Sequence, residues 1–382
     1  MGRFQDISIK GFRRLADVQL ELRPLSVLIG ANGIGKTSVL DALWLLARSA
    51  QGSLNVSISE LGGLPGLTTY DRADGLAFEI SMSVEQHPPL CYSLRLTPQG
   101  LGYNIDGETL SQQRRPEPPP FMYITARGPS IRYFKEDEQR LAQPAWSHDL
   151  LETSLSQVPK MYREPEEFRQ RLASSTSYHV LNVDPRSPVR LPQPMRPATL
   201  PGKNGEDLVS CLYYLRETDR DRFESIEDAL HTAFQGFERL EFPPVAAGTL
   251  AMSWRDKNLS KPLYTNQLSE GMLRFLWLAT LLQSPGLTAL TLIDEPEVSL
   301  HPELLSLLSD LFREASTRTQ LVIATHSDRL VRFLKPSEVV VMDATDDGMA
   351  KLTWADKLNL DEWLAEYSLG EVWRRGRMGG RA

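Results

Sequence analysis

The chain has 382 residues, of which 41% are hydrophobic and 24% charged, with a formal net charge of −7. That is a soluble globular composition with length for two or three lobes, and the negative balance excludes nucleic-acid binding through global basicity, leaving only local patches for such contact. Two cysteines, Cys91 and Cys211, exclude a disulfide framework and a four-cysteine metal site, as in a reducing cytosol. No run reaches the ~18 apolar residues of a membrane span. The longest, 275–282, is cut short by Gln283, Ser284, Pro285 and Gly286, and residues 1–10 lack an apolar signal core. The expected location is the cytoplasm, with no membrane partner.

Alternation at Ile7 and Ile9, then Leu15, Val18, Leu20 and Leu22, predicts short strands. Leu25, Val27, Leu28 and Ile29 predict a buried strand, and residues 38–50 a helix. Between them lie Gly30, Ala31, Asn32, Gly33, Ile34, Gly35, Lys36 and Thr37, which fit the phosphate-binding loop G-x-x-x-x-G-K-[ST] at every fixed position. Glycines let the backbone wrap an anion, and successive N–H groups with the helix start, including Ser38, face the phosphates. In this pattern Lys36 reaches the β/γ-phosphates of ATP and Thr37 ligates Mg²⁺.

Residues 76–84, 90–96 and 101–105 predict an antiparallel meander. Residues 114–120, with Pro116, Pro118, Pro119 and Pro120, cannot continue a sheet or helix. Residues 121–124 predict a short strand, and the charged stretch 136–172 is mostly helical in period. Residues 184–201 hold six prolines and three arginines and predict an extended loop. Helix is predicted from Glu206 through Phe234.

The last third returns to strand–helix alternation. Residues 289–293 form an apolar run that ends in Asp294 and Glu295. At such a strand end the first carboxylate holds Mg²⁺ and the second orients the attacking water. A helix over 301–314 follows, with Leu304, Leu305, Leu308, Leu311 and Phe312 on one face. The run 321–324 leads to Thr325, His326 and Ser327. His326 lies 32 positions after Asp294, room for one crossover helix, and is expected to contact the γ-phosphate. Ser269, before the apolar helix 273–282, suits an N-cap or an anion-binding helix start; spacing alone does not say which phosphate it meets. Residues 373–381 form a basic, glycine-rich tail, expected to be a frayed terminus or a contact for DNA phosphate or a partner.

In this order the motifs resemble the ATP-binding-cassette ATPases, most closely the branch with RecF, SMC and OLD proteins and the ATPases called AAA_21 and AAA_15. Residues 7–13 look like that branch's first hairpin, and residues 294–302 (Asp-Glu-Pro-Glu-Val-Ser-Leu-His-Pro) like its D-E-P-E-x-x-L-H-P block. Leu268, Ser269, Glu270 and Gly271 are similar to the signature L-S-G-G, with Glu270 in place of a glycine. Residues 123–127 and 205–208 are weaker similarities, and 108–199 match only loosely.

The resemblance implies an α/β cassette head with a mixed parallel core sheet, an N-terminal antiparallel meander and a helical lobe. Ser269 follows Thr37 by only 232 positions without coiled-coil character, so long arms are not expected. The expected organisation is 1–106 for the first half of the core, 107–204 for a Pro-rich insertion, 205–284 for the helical lobe, 285–355 for the second half and 356–382 for the basic tail. The resemblance further implies a head-to-head dimer with Ser269, Glu270 and Gly271 acting in trans. Residues 296–301, including Ser299 and His301, would cross the interface, and Arg13 would approach the nucleotide. The relatives' Mg²⁺-sensing glutamine has no convincing counterpart in Gln86 or Gln99. The implied function is slow ATP hydrolysis driving a dimerisation switch, with a partner effector in an antiphage or toxin-like defence pair, or on DNA as a RecF-like clamp. A transporter's ATPase subunit is the reading from another class; residues 7–13, residues 300–302 and the poor signature match argue against it.

Overall fold

The computed structural model describes residues 2–380 apart from 71, 101, 136 and 288. Alternation sets the first sheet. In β1 (Phe4–Phe12) and β2 (Leu15–Glu21), Ile7, Ile9, Val18 and Leu20 turn inward while Asp6, Lys10 and Gln19 face water. Next in the chain is β3 (Leu25–Gly30), which belongs to a second sheet. Then β4 (Leu76–Val84), β5 (His87–Gln99), β6 (Gly102–Gln112), β7 (Phe121–Arg127), β8 (Ser130–Lys135) and β9 (Arg140–Ala142) join the first pair. The resulting sheet has eight antiparallel strands in the order β2-β1-β4-β5-β6-β7-β8-β9. The meander thus runs well past residue 105, and position 106 falls inside β6 rather than at a boundary.

The core sheet adds β10 (Thr176–Tyr178), β11 (Leu290–Asp294), β12 (Gln320–Ala324), β13 (Val339–Ala344) and β14 (Ala350–Trp354), in the order β10-β11-β12-β3-β13-β14. All pairs are parallel except β13 with β14. Every residue of β3 is buried, as a central parallel strand covered on both faces requires. Successive residues feed different cores. Leu28 joins one cluster with Val39, Leu43 and Leu46 of α1 (Lys36–Ala50) and the inward face of the antiparallel sheet. Val27 and Ile29 join the other, which gathers the helical lobe. That lobe comprises α3 (Leu208–Thr218), α4 (Arg220–Ala233) and α5 (Glu270–Gln283), and α6 (Leu304–Ser316) packs into the same core. The helix α2 (Arg163–Ala173) precedes β10 and packs on α1.

The fold is therefore an α/β cassette-type head with a mixed core sheet, an antiparallel sheet and a helical lobe. Among the described residues the longest helix, α1, has 15 residues, so no coiled-coil arm is present. No helix among them is long and apolar enough to cross a membrane.

Three segments differ from their sequence reading. The described residues 137–172 contain only one helix, α2, and residue 136 lies outside the described residues. Pro144 and Pro159 interrupt the rest, and the 1%-exposed Glu108 captures its backbone, accepting hydrogen bonds from the Ser154 and Leu155 N–H groups at 2.6 and 2.8 Å. Residues 184–201 are packed rather than loose: Val189 is buried in a short turn and Gln193–Pro194 pairs with Thr249–Leu250. The tail is not frayed over its described part. Its helix α7 (Leu369–Arg374) buries Val372 and Trp373, and the Trp373 indole donates to the Gly380 carbonyl.

Candidate functional site

The parallel strands β3, β11 and β12 end together. Register pairs Leu28 with Ala324 and Asp294 with Ala324, so residues 30–37, 294–297 and 325–327 share the carboxyl edge of the sheet, where open α/β sheets bind ligands.

The loop between β3 and α1 needs glycine at two places. Gly33 and Gly35 have φ of +74° and +113°, conformations that side chains disfavour. A Cβ on Gly33 would meet nothing within 4 Å, so the loop has room beside it. No side chain caps α1 at Gly35, which leaves its first N–H groups available to an anion. Lys36 folds back into the loop, donating to the Gly30 and Ala31 carbonyls at 2.6 and 3.0 Å. Burial lowers its pKa to about 8, against the pull of Asp294, Glu295 and Glu297.

Thr37 Oγ1 donates to Asp294 Oδ2 at 3.1 Å. Burial raises the Asp294 pKa, the Thr37 bond opposes that, and neighbouring Glu295 reinforces it. No group of three or more His, Cys, Asp or Glu is poised for a metal among the described residues. One hydroxyl and one carboxylate in contact instead suit Mg²⁺, which takes few protein ligands and completes its octahedron with phosphate and water. The donor set fits a magnesium nucleotide.

Glu295 is held at φ +50° and Ser299 at φ +62°. Left-handed backbone at non-glycine residues costs on the order of 1–3 kcal/mol and clusters at functional sites. The Glu295 N–H donates to the Ala324 carbonyl at 2.9 Å, which fixes the carboxylate beside β12. Its Oε1 lies 3.6 Å from His326 Nε2. Burial and the nearby Lys36 lower the His326 pKa, with Glu295 opposing. Glu297 supports this corner from below, accepting from Thr325 Oγ1 at 2.5 Å and from the His326 N–H at 3.2 Å. Burial raises its pKa.

Ser269 caps α5, its Oγ accepting from the Met272 N–H at 3.3 Å. A Cβ on Gly271 would stand 3.0 Å from the Ser299 carbonyl, so α5 packs directly on the 298–299 turn. Arg274 binds the same turn through Ser299 Oγ and reaches Glu270 at 3.9 Å. Ser269, Glu270 and Gly271 make no hydrogen bond or ion pair with residues 30–38 among the described residues. His301 is exposed, 3.6 Å from Glu303. Arg13, at φ +50°, pairs with Asp41 at 2.5 Å, one helical turn beyond Thr37. Ser38 is buried in the first turn of α1.

Residues 25–332 match the family model described as "AAA domain, putative AbiEii toxin, Type IV TA system", AAA_21. The chain belongs to that family. It is a P-loop ATPase. Its fold is that of the SMC head. An SmcHead bound to the C-winged helix domain of ScpA superposes with TM-score 0.57 at 14% identity, over 92% of this chain and 97% of that one. An Smc head domain with an extended coiled coil, bound to the C-terminal domain of ScpA derived from Pyrococcus furiosus, gives 0.54 at 13% identity, over 96% and 98%. No curated protein matches the chain closely enough to count as a relative.

Two residues of this AAA_21 site escape sequence reasoning. Strand β10 pairs in parallel with β11, Tyr178 opposite Ile293, which sets His179 level with Asp294. His179 Nδ1 is 4.0 Å from Asp294 Oδ2 and the side chain is 65% exposed. The strand is three residues long, Thr-Ser-Tyr, too short and polar to announce itself. Gln86 and Gln99 lie instead at hairpin ends of the antiparallel sheet. The second is Arg14, exposed beside the loop, its Cβ 3.8 Å from where a Cβ on Gly35 would stand. Only proximity in space marks it out from Arg13.

Proposed function

We propose that this ATPase is an ATP-driven dimerisation switch that works with a partner effector, in the manner of an antiphage or toxin-like defence pair. The observation that carries the dimer is the half-built site. Lys36, Thr37, Asp294, Glu295 and His326 converge at one sheet edge, whereas Ser269 caps a helix braced on the 298–299 turn and makes no bond to that loop. A second copy supplies the missing half, with Ser269, Glu270 and Gly271 facing the partner's γ-phosphate and Ser299 and His301 at the seam.

In this reading residues 30–38 cradle the phosphates and Thr37 with Asp294 holds Mg²⁺. An ion held there would neutralise charge on the β- and γ-phosphates. Glu295 orients and deprotonates the attacking water, and His326 donates to the γ-phosphate. His179, level with Asp294, takes the metal-facing position that a glutamine fills in the resembling family, and Arg14 meets the nucleotide beyond Gly35. Two variants separate these last roles. Arg14→Ala weakens ATP affinity, and His179→Ala raises the Mg²⁺ concentration for half-maximal turnover, each by about 3–10-fold, the worth of one ordinary hydrogen bond. Titrations of ATP and Mg²⁺ that match wild type remove the assignments.

A protein effector is favoured over DNA because the tail folds back on its own chain, Arg375 over Tyr367 and Arg377 over Trp363, instead of extending as a basic arm. The family description, with its toxin–antitoxin association, supports the same choice. Light scattering provides the test: the molar mass doubles on adding ATP and Mg²⁺ and returns after hydrolysis. A mass indifferent to ATP at tens of micromolar protein refutes the switch. Salt-sensitive binding to DNA by the protein alone would favour the clamp instead.

A further inference from the structure

Arg190 sits in the Pro-rich segment, far in sequence from every nucleotide motif, and its side chain is half-buried. Its guanidinium bonds four main-chain carbonyls. Nε donates to Val183 at 2.6 Å, and one terminal nitrogen reaches Thr265, Asn266 and Leu268 at 3.3, 3.4 and 3.0 Å. Thr265 Oγ1 answers by donating to the Arg190 carbonyl at 2.9 Å. No ion pair with a carboxylate accompanies these bonds among the described residues. The cation is therefore held by main-chain carbonyls, three of them in the stretch that leads into Ser269 and one, Val183, in its own segment.

We propose that Arg190 is the positioning residue of the signature loop, fixing the backbone before Ser269 in the geometry that receives the partner's γ-phosphate. A trans peptide unit points its C=O and its N–H in opposite directions. Holding the carbonyls of Thr265, Asn266 and Leu268 against the guanidinium turns the N–H groups of Asn266, Gln267 and Ser269 away from it. Three peptide planes ahead of α5 are thus set by one side chain, and the uncompensated positive charge favours an anion at the helix start. Lysine cannot replace it, because one ammonium cannot reach both Val183 and the 265–268 carbonyls, which the guanidinium bonds through two separate nitrogens.

The proposal rests on the trans role of Ser269 stated above, and subunit mixing separates the two. Arg190→Ala and Arg190→Lys both lower turnover by about 10–10²-fold, the cost of misplacing a reacting group by ~1 Å. Both keep ATP affinity of the isolated subunit within about twofold, since the variant's own phosphate loop is untouched. Mixing Arg190→Ala with Lys36→Ala then restores turnover, because one composite site joins an intact phosphate loop to an intact signature loop. Ser269→Arg mixed with Lys36→Ala is the control. If the control pair recovers and the Arg190 pair does not, Arg190 has no role in trans and the inference falls alone. If the control pair fails, the trans reading itself falls. Full activity in Arg190→Lys also overturns the proposal. Should Arg190→Ala fold poorly, Arg190→Lys takes its place in the mixture.

Discussion

Glu295→Gln lowers ATP turnover by about 10²–10⁴-fold, the usual contribution of a positioned base, while ATP binding persists and the dimer accumulates. The amide keeps the length and shape of the side chain, so the backbone at φ +50° and the bond from the Glu295 N–H to Ala324 are undisturbed. What is lost is the ability to accept a proton from water. Asp294, which contacts Thr37, stays in place to hold the ion. Binding and chemistry therefore separate in this variant: sedimentation with ATP shows a lasting dimer, and phosphate release is nearly abolished. Wild-type turnover in Glu295→Gln would falsify the assignment of the base. A dimer that fails to persist would detach hydrolysis from opening.

Lys36→Ala removes nucleotide retention, and the wild-type lysine also makes ATP affinity depend on pH. In the free protein its ammonium has a pKa lowered to about 8, with burial as the main cause. Polyphosphate restores the charged form, so binding above pH 8 takes up a proton. ATP affinity accordingly falls as pH rises past 8, by at most about tenfold per unit for one proton. The sign for the free protein's stability is opposite. Between pH 8 and the ordinary lysine value of 10.5 the unfolded chain binds the extra proton, so stability rises with pH over that window. Calorimetry in buffers of differing ionisation heat reads the proton uptake directly. A pH-independent affinity, or no proton uptake on binding above pH 8, removes Lys36 as its source.

The parts of the site written as contiguous runs are legible in the sequence alone. An apolar strand followed by Gly30 to Thr37 needs only local geometry, because the glycines, the lysine and the hydroxyl all belong to one turn. The strand ends at Asp294 and His326 are likewise announced by the apolar runs before them. His179 is not legible. Its strand has three residues and gains its place only by pairing with β11. The middle of the chain misleads for a related reason. Its charged periodicity suggests helix, but buried Glu108 offers acceptors to residues 154 and 155 that a solvated helix would not meet. The tail looks unstructured from its arginines and glycines. Its burial depends on α7 packing against residues 328–331, some forty positions earlier in the chain.

The sequence by itself determined the chemistry: which residues can wrap a phosphate, ligate an ion and activate water, since those demands fall within short stretches of chain. The tertiary structure decided their partners. It placed His179 beside Asp294, tied Arg13 to Asp41, set Glu297 under His326 and hung the Ser269 loop on Arg190. These contacts join residues separated by tens of positions, and they form because parallel strands bring their ends to one edge and buried polar groups must find acceptors.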